Sequence, residues 1–279
     1  MQDAVQLEGF PATAQRLAGR VVVVVGGGQQ PGETIGNGRA TAVLAARHGA
    51  SVLVVDHQLE RALGTARQIA AEGGTASTFV ADITDEEQCR AIVATATERY
   101  GRLDCLQNNV GMSLAAGDAV PTELTVEAFD RLVDINLKGM WLTCKHTVPV
   151  LRAQGSGSIV NISSMAAWAT YPYFGYKATK AGVIALTEQL AAAEAAHGIR
   201  VNVILPGLMN TPMAIESRVA AGTPREQVVA ERDRQVPLGR RMGSGWDVAA
   251  ASVFLHSDEA RFITGVTLPV DGGASVRRG

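Results

Sequence analysis

The chain has 279 residues, 47% apolar and 19% charged, with a formal net charge of −2, which disfavours a nucleic-acid partner and leaves ample mass for one large core. Its 30 glycines are about 11% of the chain against a usual 7%, yet they follow no period of three and stand among Val, Ile and Leu, so neither collagen nor disorder explains them. The apolar runs are too short to span a bilayer, residues 1–10 lack the regions of a secretion signal, and Cys89, Cys105 and Cys144 form no CxxC pair, so a cytoplasmic protein with reduced thiols is expected.

Residues 1–18 are polar and weakly patterned and are expected to form an N-terminal arm. From Arg20 onward short β-branched runs alternate with Ala- and Leu-rich stretches. The pattern predicts strands at 20–25, 51–55, 75–80, 103–107, 157–162, 199–204 and 266–270. Helices are predicted at 38–48, 59–72, 85–99, 125–153, 176–196 and 246–256. Runs such as VVVVV and VLVV suit parallel strands covered on both faces. Seven such strands with helical crossovers define a Rossmann-type, doubly wound parallel sheet, a three-layer α/β/α sandwich in one domain over 19–279. Residues 207–245 interrupt the alternation with prolines and many charges, and are read as a substrate lid of short helices.

The segment Gly26 to Gly38 follows the first strand and opens the first helix, and it holds six of the glycines. Backbone amides at a helix N-terminus can hold a pyrophosphate where no side chain intervenes. The GxGxxG fingerprint is absent, since Thr41 stands where its third glycine would fall. Asp56, however, closes the second strand twenty residues beyond Gly36. An acid there accepts hydrogen bonds from ribose hydroxyls and repels a 2′-phosphate. A plain glycine loop with a surface aspartate would read the same way.

Later residues narrow the choice. Tyr176-Lys-Ala-Thr-Lys180 is a YxxxK motif, and Asn161-Ile-Ser163-Ser164 precedes it at a strand end. With Asn108-Asn109-Val110-Gly111 and Asn136-Leu-Lys-Gly139, the chain resembles the classical short-chain dehydrogenase/reductase family over about residues 17–275. Two features depart from that family's pattern. Gly27 and Gly36, matching its first two turn glycines, are nine apart, so the turn carries extra residues at 29–34, expected to bulge into solvent. Ser164 stands twelve residues before Tyr176, one closer than is usual, whereas Ser163 keeps the spacing. Position on the strand favours Ser164, and adjacent strand residues point to opposite faces, so only one of the two can serve.

The resemblance implies hydride transfer between a nicotinamide and a secondary alcohol or ketone, with Tyr176 as acid/base, Ser164 on the substrate oxygen, and Lys180 and Asn136 in a proton relay. Lys180, one helical turn beyond Tyr176, is expected to lower the tyrosine pKa. The resemblance further implies cofactor contacts from Gly27, Gly36, Asn37, Gly38, Asp56, Asp82, Ile83, Asn108, Gly111, Tyr176, Lys180, Pro206, Gly207, Met209 and Thr211. Asp56, without a basic neighbour at 57–59 except His57, points to NAD(H). Trp168 and Tyr171, between Ser164 and Tyr176, together with Met213 suit the wall of a substrate site for an apolar or ring-bearing molecule. The five histidines lack metal-ligand spacing, and the charges over 216–241 are read as a solvated face. An NADPH-dependent ketoreductase and a non-catalytic dinucleotide-binding redox sensor are the competing readings. The family also implies a homotetramer, and neither composition nor motifs suggest a membrane or nucleic-acid partner.

Overall fold

The computed structural model describes residues 15–220 and 222–276. Seven strands, β1 (Val21–Val25), β2 (Ser51–Asp56), β3 (Thr75–Val80), β4 (Cys105–Asn108), β5 (Gly157–Ile162), β6 (Ile199–Pro206) and β7 (Thr267–Val270), pair in parallel in the order β3-β2-β1-β4-β5-β6-β7. Strand polarity explains the all-apolar runs. Val22 and Val24 pack with helix α1 (Asn37–Arg47) and helix α9 (Gly245–His256). Val23 and Val25 face the opposite way, toward helix α3 (Glu86–Tyr100) and helix α5 (Gly139–Gln154). Every residue of β1 is buried, as a strand covered on both faces requires.

Local signals fix the helix ends. Asp85 accepts from the amides of Glu87 and Gln88 at the start of α3, and Gly101 closes that helix at φ +76°, a conformation in which glycine avoids the Cβ penalty. Ser244 and Asp247 form a capping box on α9. Helix α2 (Leu59–Ala71) links β2 to β3, and α6 (Phe174–Glu194) links β5 to β6.

One predicted helix is divided. The stretch read as 125–153 holds helix α4 (Val126–Val133), a π-helical turn over Asp134–Lys138, and α5. A π turn widens the winding by one residue and frequently accompanies function; apolar periodicity does not reveal it. Within 207–245 stand α7 (Pro212–Ala220) and α8 (Arg225–Asp233), with a small core of Ile215, Val228, Val236 and Met242. Most of the proposed arm lies outside the described residues. Of its end, Leu17 is buried against the α1 layer, its amide donating to the His48 carbonyl at 2.9 Å.

The order reverses at β1, between β2 and β4. A crevice therefore opens beyond the carboxyl ends of these strands, the usual ligand position in such sheets. A cleft of about 1690 Å³ lies there.

Candidate active site

The glycine turn forms one end of this cleft. The amides of Gly26 and Gly27 both donate to Val55 O, at 2.9 and 3.0 Å, which folds the chain tightly over the ends of β1 and β2. A Cβ on Gly38 would lie 1.9 Å from Gly26 O, so α1 can start here only without a side chain. Asn37, beside it, lines the cleft with a buried amide oxygen that has no partner. A backbone cradle cleared of Cβ atoms, with an acceptor awaiting a donor, fits a dinucleotide.

The insertion at 29–34 does not simply bulge into solvent. Gln29 spans it, donating to Thr34 O at 3.0 Å and accepting from the Gly36 amide at 2.9 Å. A Cβ on Gly32 would lie 2.8 Å from both Pro212 and Glu216 of α7. Glu33 pairs at 3.2 Å with Arg225 of α8, which also pairs with Glu216 at 2.6 Å. Close approach at glycine and opposite charge thus carry the insertion to the lid.

Asp56 and Asp82 line the cleft on the β2 and β3 side, with Ile83 beside them. Asp56 Oδ1 accepts from the Gln58 amide at 3.0 Å, and a Cβ on Gly28 would stand 2.5 Å from Oδ2, placing that oxygen against the turn. Arg61 lines the same end, which motif reading missed because it lies outside 57–59. Asp82 Oδ1 accepts from the amide and hydroxyl of Thr84, at 2.9 and 2.8 Å.

At the centre Tyr176, Ser164 and Lys180 come together. Three consecutive residues at the end of β5 meet them. Lys180 Nζ donates to Ile162 O at 2.9 Å and Ser163 Oγ donates to Lys180 O at 2.7 Å, while the Ser164 hydroxyl faces the Tyr176 phenol and acts to lower its pKa. Both serines line the cleft, but Ser163 is buried with its hydroxyl committed to Lys180 O, which leaves Ser164 as the serine facing the Tyr176 phenol. Lys180 Nζ lies 5.7 Å from the Tyr176 ring centroid. Gly111 makes room for it, since a Cβ there would stand 2.8 Å from Nζ.

Electrostatics here differ from expectation. Burial pushes the Tyr176 phenol up to about 12, the Ser164 hydrogen bond opposing the rise and the Tyr171 and Asp118 charges adding to it. Burial likewise brings Lys180 down to about 8. Desolvation, which penalises each charged form, governs both groups, and the lowering of the phenol expected from Lys180 does not emerge.

Three expected site residues do not line the cleft. Gly27 lies beneath the turn, where its carbonyl accepts from Thr65 Oγ1 at 2.9 Å, and Gly26 and Gly28 line the cleft instead. Asn108 is still within β4, its amide donating to Asn161 Oδ1 at 3.0 Å and its oxygen accepting from Thr143 Oγ1 at 2.8 Å. Its cleft position passes to Asn109. Asn136, in the π turn, is buried. Its side chain accepts from the Met112 amide at 2.7 Å and donates to Met112 O at 2.8 Å and Thr179 Oγ1 at 3.1 Å. It therefore braces the segment after Gly111 against the helix carrying Lys180.

The remaining expected residues line the far side: Pro206, Gly207, Met209, Thr211, Met213, Trp168 and Tyr171. A Cβ on Gly207 would lie 2.7 Å from Asp271 Cα, so the turn after β6 needs glycine. The Tyr171 and Tyr176 rings are 5.6 Å apart. Two supports escaped motif reading. Asp118 accepts from the Gly175 and Tyr176 amides, at 2.8 and 3.0 Å. Lys177, adjoining Tyr176, donates to the carbonyls of Ala166, Ala167 and Ala169 at 3.0, 3.2 and 2.6 Å. Its place inside the YxxxK motif was the available signal; Asp118 had none. Among the described residues no His, Cys, Asp and Glu cluster could hold a metal, and no helix is long and apolar enough to cross a membrane.

A parallel sheet with this order, and a crevice lined by Ser164, Tyr176 and Lys180, is the arrangement of a dinucleotide-dependent oxidoreductase. A family model described as enoyl-(acyl carrier protein) reductase matches residues 33–275. The chain is 39% identical over 260 residues to cis-4-hydroxycyclohexanecarboxylate dehydrogenase of Sinomonas cyclohexanicum, covering 93% of this chain and 98% of the relative. It is 37% identical over 266 residues to 2,5-dichloro-2,5-cyclohexadiene-1,4-diol dehydrogenase of Sphingobium indicum, covering 94% and 99%. The crystal structure of levodione reductase superposes with a TM-score of 0.86 at 36% identity, covering 94% of this chain and all of that one (100%). The chain belongs to the short-chain dehydrogenase/reductase family, whose members use nicotinamide dinucleotides, and it is an oxidoreductase of alcohols and ketones.

Proposed function

We propose that the protein is an NAD(H)-dependent dehydrogenase of a ring-bearing secondary alcohol, working reversibly with the ketone. The observation that carries this reading is the meeting of Ser164, Tyr176 and the buried Lys180 in one cleft, with Lys180 Nζ 5.7 Å from the Tyr176 ring centroid. When bound, the nicotinamide dinucleotide supplies the hydride acceptor or donor. The Tyr176 hydroxyl exchanges the alcohol proton, Ser164 hydrogen-bonds the same substrate oxygen, and Lys180 favours the phenolate as charge develops. Asn136 acts as a positioning residue for this centre. A redox sensor needs no such acid/base set.

Asp56 supports NAD(H), since its carboxylate beside the glycine turn would repel a 2′-phosphate. Arg61 favours the second reading, NADP(H), because it lines the same end of the cleft and pairs with no described carboxylate. The ring-bearing substrate rests on Trp168 and Tyr171 in the cleft wall, and two of the relatives act, by name, on six-membered ring alcohols.

Cyclic alcohols assayed with each cofactor at mildly alkaline pH test the proposal. Turnover with NAD, preferred over NADP and reduced by about 10²-fold or more in Tyr176→Phe, is the expected result. Undiminished turnover in that variant would exclude the mechanism. Replacing Asp56 by Ala should relax the preference for NAD, and Arg61→Ala should lower turnover with NADP if Arg61 holds a 2′-phosphate and leave it unchanged if it does not.

A further inference from the structure

The charges of the lid are not all a solvated face. Arg225 and Arg232 stand two turns apart on α8, about 10.5 Å along the axis and on one side of the helix. Arg225 is paired with Glu33 and Glu216. Arg232 has no ion-pair partner among the described residues; its recorded hydrogen bond runs from Nε to Met242 Sδ at 3.3 Å. It nevertheless lines the cleft, together with Arg218 of α7, Gln235 and Tyr171. Arg218 also lacks a described carboxylate partner, its Nη1 donating to Ala214 O.

Two half-buried guanidinium groups that line one cleft, with no carboxylate partner among the described residues, carry an electrostatic cost. Burial and the Arg218 charge bring Arg232 down to about 10, so the second cation adds to the penalty of the first. Such an arrangement is relieved by an anion bound between them. Their location separates that anion from the cofactor phosphates. The paired Arg225 marks the glycine-turn end of α8, whereas Arg232 and Arg218 line the cleft with Tyr171, whose ring is 5.6 Å from that of Tyr176.

We infer that Arg232 and Arg218 form an anion subsite for the substrate, which takes a secondary alcohol or ketone bearing a carboxylate across a single ring. The hydroxyl would lie at Tyr176 and Ser164, the ring against Tyr171, and the carboxylate on the guanidinium fork of Arg232. This inference rests on the dehydrogenase reading for the position of the hydroxyl, whereas the anion site stands on the two arginines alone.

Two measurements test it separately. The first compares kcat/KM for 4-hydroxycyclohexanecarboxylate and its neutral carboxamide. The wild type should favour the carboxylate by about tenfold or more, and the ratio should fall by about tenfold in Arg232→Gln, mainly through KM, with partial retention in Arg232→Lys. A ratio near one in the wild type, or unchanged in Arg232→Gln and Arg218→Gln, overturns the subsite. The second is calorimetric titration of the protein, saturated with oxidised cofactor, with cyclohexanecarboxylate and cyclohexanecarboxamide. Binding of the carboxylate alone, lost in Arg232→Gln, supports the subsite even if neither alcohol is turned over, in which case only the dehydrogenase reading fails. Equal binding of both compounds, or of neither, overturns it.

Discussion

The Asp118 carboxylate grips the first turn of the helix that carries Tyr176, one oxygen accepting from the Gly175 amide and the other from the Tyr176 amide itself. The same group contributes a negative charge that raises the phenol. Asp118→Asn should separate these roles. Losing the charge lowers the Tyr176 pKa, so the rising limb of alcohol oxidation should move to lower pH. Weakening the cap should cost about 1 kcal/mol of stability, visible in thermal melts. A pH–rate profile that stays in place would show that Asp118 acts on the helix alone.

Lys180 makes a stability prediction with a definite sign. Its ordinary pKa of 10.5 falls to about 8 in the folded protein. Between these values the unfolded chain binds a proton that the folded chain has released, so stability rises with pH across that window. Below it, the folded state carries a buried cation. Lys180→Met should therefore be inactive yet melt higher than the wild type at pH 7. The difference, on the order of 3 kcal/mol at most by linkage, should shrink toward pH 10.5. Melts of the cofactor-free protein at several pH values would show it.

Gly38→Ala tests the cradle. The added Cβ would meet a backbone oxygen at 1.9 Å, which no rotamer change can relieve. Cofactor affinity should fall by more than about tenfold, because 1–3 kcal/mol of overpacking strain falls on the start of α1. The substitution Gly64→Ala, where a Cβ meets nothing within 4 Å, is the control. Fluorescence titration with reduced cofactor distinguishes the two.

The tie between Glu33 and Arg225 joins the extended turn to the lid across the cofactor end of the cleft. Arg225→Ala should quicken cofactor release several-fold in stopped-flow experiments. Because Glu33 is 71% exposed, raising ionic strength should move the wild-type rate toward that of the variant, while leaving the variant little changed. An equal salt response in both would rule out the tie as a determinant of release.

The strand and helix pattern of this chain was legible because parallel strands buried on both faces, such as Val21–Val25, leave an unmistakable apolar run. The order of motifs gave Tyr176, Lys180 and Ser164. Gly27, Asn108 and Asn136 were assigned by motif, and their side chains or backbone turn inward because a motif names a segment and not the direction each residue faces. The π turn over Asp134–Lys138 has no apolar signature of its own. Asp118 and Arg232 depend on packing between segments far apart in the chain, which no local pattern encodes.

Ile162 and Ser163 attach Lys180 to the end of β5, upstream of the loop that runs to α6. Lys177 fastens the loop through the carbonyl oxygens of Ala166, Ala167 and Ala169, and every amino acid has one. These anchors are backbone groups, so they do not depend on which side chains the loop carries. Trp168 and Tyr171 on that loop line the cleft, so the side chains there can vary while the carbonyl anchors persist.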